Sequence, residues 1–273
     1  MNIIGNWFHH RKQKASVLSN LSRLLSISAK DMRTVWHGFD RFYQKQGYIQ
    51  NLGESKTLNM MESFITYVIL AGQQPASIVE IGTYYGKSTR RILDMKTFLR
   101  LAAPVTCYDI SDNVKYFKHD EARLILKDIT PITTKILAAH SDPKFIFLDA
   151  RPYGLLKNVI MSCLNNQPDA ILAIHDCSCN LCRREMVMDH SCPEITSSTG
   201  VWERHVLAEC FNISDPLSHD LDDLATQTHR LMIFESDYGL ALLVPKHQIR
   251  LIGDRISRFA GTNKHRIDLG SVL

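Results

Sequence analysis

No stretch of this 273-residue chain approaches the roughly 20 consecutive apolar residues that a membrane helix needs. Nor does it open like an exported protein, because the apolar Met1–Phe8 precedes the basic His9-His10-Arg11-Lys12 cluster, the reverse of a secretory signal. Charge of one sign is scarce: 32 basic residues stand against 28 acidic ones, a net +4, and the basic residues are dispersed with no RNA-binding signature. Nucleic acid and membrane are therefore not expected partners, and a soluble, cytoplasmic protein is. Seven cysteines, an odd number without an export signal, argue against a disulfide framework. Four of them, Cys177, Cys179, Cys182 and Cys192, crowd together. With His175 or His190 they could hold zinc, but the C-x-C-x-x-C spacing is irregular, and ordinary thiols are the plainer reading. The dinucleotide fingerprint G-x-G-x-x-G is also missing.

What the chain does have is Ile78-Val79-Glu80-Ile81-Gly82-Thr83-Tyr84-Tyr85-Gly86-Lys87-Ser88-Thr89, an apolar run ending in an acid, a glycine-bracketed turn and a helix start. Glycines let the backbone turn sharply and approach a ligand, and the first N–H groups of the helix face that ligand. A phosphate-binding loop reads G-x-x-x-x-G-K-[ST], and Gly82 to Gly86 followed by Lys87-Ser88 is one residue short of it. A shorter loop cannot wrap the same nest of N–H groups round a phosphate. Glu80 would repel a triphosphate and suits a ligand with a cationic sulfonium, an amino group and ribose hydroxyls.

At these residues the chain resembles the class I S-adenosylmethionine-dependent methyltransferases, in particular the branch of small-molecule and sugar O-methyltransferases that includes macrocin O-methyltransferase and cephalosporin-hydroxylase-like proteins. The resemblance implies that Glu80, Gly82, Thr83, Tyr84, Gly86 and Ser88 hold S-adenosylmethionine. Val105–Asp109 reads as a strand ending in an acid after a helix from Lys87 to about Leu101. Asp109, with Ile110 beside it, is placed to accept the ribose hydroxyls, as acids beyond the glycine turn do in doubly wound folds.

Two further apolar runs end in chemistry. Lys144–Asp149 has the continuous pattern of a buried parallel strand and closes on a carboxylate. The family follows that Asp with Gly-Asp-His-Ser-Tyr, whereas this chain has Ala150-Arg151-Pro152-Tyr153, one residue shorter and without the His. Ala170–Asp176 ends in a His-Asp pair able to supply a general base, His175, and a hard oxygen ligand, Asp176. Alkylating a hydroxyl needs both alignment and removal of its proton. The expected roles are accordingly His175 and Asp149 in catalysis, with Asp149 and Asp176 as ligands of Mg²⁺.

Arg230–Pro245, two apolar runs separated by Asp237-Tyr238-Gly239, reads as a hairpin, and Gly200-Val201-Trp202 opens a helical stretch over 201 to 210. The expected fold is α/β, a Rossmann-like, doubly wound, mostly parallel seven-stranded sheet with an antiparallel C-terminal hairpin. Residues 1–69 form a helical cap before a methyltransferase domain over 70–245, and 246–273 a basic amphipathic helix. Trp36, Phe39, Phe42 and Tyr43 in the cap face either an acceptor or, more commonly at such spacing, a core. The acceptor is a small molecule or sugar, with room for self-association as a homo-oligomer. A kinase or ATPase using the short loop, and a methyltransferase-like module that binds without turnover, are the alternatives.

Overall fold

A computed structural model describes residues 3–45, 58–150, 152–179, 202–236 and 238–269. They divide into two compact units, one built from 1–74 with 247–273 and the other from 75–246.

The first unit is helical: α1 (Ile3–Leu25), α2 (Ala29–Lys45), α3 (Met60–Gln73) and, from the far end of the chain, most of α8 (Lys246–Leu269). The start of α3 is fixed by a capping box. Asn59 Oδ1 accepts the N–H groups of Met61 and Glu62, and Glu62 returns the bond by accepting the Asn59 N–H at 2.9 Å. Trp36, Phe39, Phe42 and Tyr43 are all buried. Their rings lie on those of Phe64 and Tyr67, with Trp36–Phe64 at 4.8 Å and Phe39–Phe64 at 5.3 Å, and Phe259 of α8 meets Tyr67 at 6.3 Å. These aromatics are the core of their own unit. Gly72 lets α8 come close, since a Cβ there would run into the side chain of Ile252. Among the described residues no helix is long and apolar enough to cross a membrane.

The second unit is a Rossmann-like sheet. Its strands are β1 (Ser77–Ile81), β2 (Val105–Asp109), β3 (Arg123–Leu126), β4 (Lys144–Leu148), β5 (Ala170–Ile174), β6 (Asp223–Ala225), β7 (His229–Phe234) and β8 (Leu240–Pro245), in the order β3-β2-β1-β4-β5-β8-β7-β6. The helices of this unit are α4 (Lys87–Phe98), α5 (Thr133–Ala138), α6 (Tyr153–Asn166) and α7 (Trp202–Cys210). β1 to β5 pair in parallel, and β8 joins β5 antiparallel and carries the expected hairpin. The sheet has eight strands where seven were expected. The extra one is β6, three residues on the outer edge of β7, too short to leave a pattern. β1, β4, β5 and β8 are buried at every position, as continuous apolar runs require when helices cover both faces.

Register places the chemistry. Ile81 pairs with Tyr108 on one side and Leu148 on the other, and Leu148 with Ile174. The next residue of each strand therefore falls in a single row along the carboxyl edge: Asp109, Gly82, Asp149 and His175. Backbone bonds extend the ladder one step to join them, from Gly82 N to Tyr108 O at 2.9 Å, Asp149 N to Ile81 O at 2.9 Å and His175 N to Leu148 O at 3.0 Å. The chain turns away from β1 toward β2 on one side and β4 on the other, the crevice where doubly wound sheets bind ligands.

Candidate active site

The glycine turn between β1 and α4 is conformationally demanding. Gly82 and Gly86 have φ of 88° and 80°, and Tyr84 between them is left-handed at 47°, rare for a side chain of that size. Asp109 holds this shape. Its Oδ2 accepts the N–H groups of Thr83 at 2.9 Å and Tyr84 at 2.7 Å, and its Oδ1 those of Ile110 at 2.7 Å and Ser111 at 3.1 Å. The segment after β2 then folds over the turn. The Tyr85 carbonyl accepts from the Lys115 and Tyr116 N–H groups, and the Phe117 ring lies where a Gly86 side chain would stand. Tyr84 and Ile110, whose N–H groups both reach Asp109, remain 59% and 80% exposed.

Glu80 sits behind the turn. It is fully buried, its two oxygens taken by the hydroxyls of Ser88, at 2.5 Å, and Thr89, with the Cys107 thiol 3.5 Å away. Burial pushes its carboxyl up to about 7, against the pull of those hydrogen bonds. Ser88 thus directs its proton into the protein. Lys87 turns over the Tyr116 ring at 5.6 Å.

At the other end of the row, Asp149, His175 and Asp176 converge, with donor atoms all within 4.8 Å of one another. His175 Nδ1 lies 3.5 Å from Asp149 Oδ2 and 3.2 Å from Asp176 Oδ1. Neighbouring donors of an octahedral ion with bonds of about 2.1 Å stand about 3 Å apart, close to the two His175 distances, so the three groups are a candidate set for one cation. Two carboxylates favour Mg²⁺, and the imidazole makes Mn²⁺ an equally good guest. Asp149 is 31% exposed, whereas His175 and Asp176 are nearly enclosed at 4% and 7%.

The loop carrying Asp176, itself left-handed at φ 60°, is fixed from below by a residue that sequence reasoning missed. Arg204 of α7 is buried and donates to the carbonyls of Cys177 (3.3 Å), Ser218 and Pro216 and to Asp222 (2.6 Å). Glu235 accepts the Cys179 N–H at 2.9 Å, and Gly239 packs against the backbone of Ser178 where no Cβ would fit. A lone Arg after an irregular stretch carries no signal in sequence. His175, expected as a base and as a candidate zinc donor beside the cysteines, stands here with Asp149 and Asp176 instead. Cys177 and Cys179 are buried in this loop, while Cys182, His190, Cys192 and Arg151 lie outside the described residues. The metal-spaced cluster found among the described residues contains no cysteine.

No family model matches the chain, and neither does any curated protein. Among solved structures it is similar to an O-methyltransferase from Bacillus cereus in complex with SAH, at 15% identity, a TM-score of 0.47 and coverage of 76% of this chain and 90% of that one. The SAH-bound methyltransferase PaMTH1 of Podospora anserina gives 13%, 0.45, 78% and 88%. The O-methyltransferase TomG of Streptomyces achromogenes, in complex with SAM, gives 14%, 0.44, 76% and 88%. At these identities and TM-scores the likeness carries nothing about chemistry, which rests on this chain's own side chains.

Those side chains suit one kind of ligand better than another. A phosphate-loop Ser or Thr must offer its hydroxyl to Mg²⁺ and the preceding Lys must reach the phosphates. Here both hydroxyls go to Glu80 and Lys87 lies over Tyr116.

Proposed function

We propose that this chain transfers the methyl group of S-adenosylmethionine to a hydroxyl of a small molecule or sugar, with a divalent cation such as Mg²⁺ between Asp149, His175 and Asp176. The observation that carries the reading is the row Asp109, Gly82, Asp149, His175 along one sheet edge, which sets a cofactor turn after β1 beside a cluster of cation-binding groups at the ends of β4 and β5. Gly82, Thr83, Tyr84, Gly86 and the start of α4 at Ser88 cradle the methionine end. Tyr84 and Ile110 offer the exposed apolar surface an adenine ring needs. Asp109 keeps the turn with Oδ2, while Oδ1, bound only to the N–H groups of its own next two residues, is the oxygen to exchange for ribose hydroxyls.

The bound cofactor supplies an electrophilic methyl group: an O–C bond forms as the C–S bond breaks, and the electron pair stays on sulfur. The hydroxyl proton has to leave, and a cation held by the cluster would lower its pKa. Asp149, the most exposed of the three, is the group an acceptor reaches first and the one to take that proton. His175, whose Nδ1 lies 3.5 Å from Asp149 Oδ2 and 3.2 Å from Asp176 Oδ1, would be the third donor to that cation.

Calorimetric titration with S-adenosylmethionine, its demethylated product and Mg-ATP tests the reading. Micromolar binding of the first two, lost in Asp109→Ala, is the expected result. Binding of ATP alone would overturn it.

A further inference from the structure

Glu80 is the carboxylate nearest the cofactor turn in sequence, yet its geometry points away from any ligand. It is fully buried, and its ladder neighbours are Cys107 on β2 and Phe147 on β4. Each oxygen receives one hydroxyl from the first turn of α4, and no side chain caps that turn from Gly86. The carboxylate therefore ties the start of α4 to β1, and a negative group there also complements the helix N-terminus. Gly82 to Gly86 is the stretch of chain that joins the two ends of that tie.

We propose that Glu80 is a positioning residue: it latches α4 to β1 through Ser88 and Thr89, so that the turn is set before cofactor arrives, and it does not touch the cofactor. The inference rests on the methyltransferase reading. A latch depends on shape and hydrogen-bonding capacity, whereas a partner for the sulfonium or amino group depends on charge, and an amide separates the two. In Glu80→Gln the amide oxygen accepts one hydroxyl and the amide N–H donates to the other, since a hydroxyl can turn to accept.

The experiment is titration of the intact protein with S-adenosylhomocysteine and S-adenosylmethionine, using wild type, Glu80→Ala, Glu80→Gln and the double variant Ser88→Ala/Thr89→Val. Two lost buried hydrogen bonds predict about 10- to 100-fold weaker binding for Glu80→Ala and for the double variant. Glu80→Gln should recover binding to within about threefold of wild type, equally for the charged sulfonium ligand and the neutral thioether. If Glu80→Ala does not fold, Glu80→Gln against wild type decides by itself. A Gln variant as weak as Ala, or one that loses only the sulfonium ligand, overturns the latch and makes Glu80 a charge contact. A wild type that binds neither ligand removes the methyltransferase reading instead.

Discussion

Gly82→Ala should be a severely damaging single-methyl change in the sheet unit. The residue has φ of 88°, where an alanine pays about 1–2 kcal/mol against a right-handed or extended conformation. The added Cβ would also run into the carbonyl oxygen of Asp149, stand 2.6 Å from its carbonyl carbon and meet Ala150 Cβ at 2.9 Å. That backbone cannot simply retreat, because the Asp149 N–H is bound to Ile81 O in the extended ladder. Overpacking of this kind costs about 1–3 kcal/mol, which makes the sum about 2–5 kcal/mol out of a typical 5–15. For a unit of this size the melting temperature should fall by roughly 5–15 °C. The same shift moves Asp149, so any stabilisation expected from Mn²⁺ in the wild type should be lost in the variant. Gly38→Ala is the control: it lies in α2 with nothing within 4 Å of its Cβ position, and should stabilise by up to about 1 kcal/mol. Thermal melts of both variants, with and without Mn²⁺, make the comparison. A Gly82→Ala protein melting within about 2 °C of wild type and still responding to the ion would refute the assigned crowding.

Glu80 gives a pH signature. Its folded carboxyl is raised to about 7 by burial, above the unfolded 4.5, so the folded state binds the proton more tightly. Stability from this group is full below about 4.5, falls as pH rises to about 7, and is flat beyond. Glu80→Gln removes that loss, and its melting temperature relative to wild type should climb between pH 5 and pH 8; a constant difference would show that Glu80 does not titrate in that window. Asp149→Ala and Asp176→Ala should each weaken Mn²⁺ binding, read by electron paramagnetic resonance, by at least about tenfold while leaving S-adenosylhomocysteine affinity within about threefold. Lys144→Met should cost about 2–4 kcal/mol in urea unfolding, because the buried ammonium donates to Leu137 O at 2.9 Å and Gln167 Oε1 at 2.7 Å and both acceptors lose it. Burial pushes the Cys163 thiol up to about 12 and the Cys107 and Cys177 thiols up as well. All three should resist maleimide at pH 8 until the protein unfolds, with mass spectrometry of the labelled peptides as the readout.

The parts of this molecule that could be read ahead of its structure are those where one physical cause acts over several consecutive residues. Strands buried on both faces need apolar runs, and Phe145–Leu148 and Ala170–Ile174 announce themselves for that reason, as does Ile78–Ile81 despite its buried Glu80. Asp149 and His175, which follow two of those runs, then fall into one row with Gly82 by register alone. β3 and β6 were not locatable because they are short edge strands with exposed or half-buried positions, which need no apolar pattern. The direction in which a side chain faces is illegible for a different reason. Glu80, one residue before the end of β1, and Asp109, which ends β2, lie beside the same turn, yet one bonds hydroxyls of α4 behind it and the other backbone N–H groups of the turn itself. Which of the two meets a ligand depends on contacts 8 to 26 residues away, a separation no local motif encodes. Charge type alone therefore assigns both carboxylates to the cofactor, and packing separates them into a latch and a clamp.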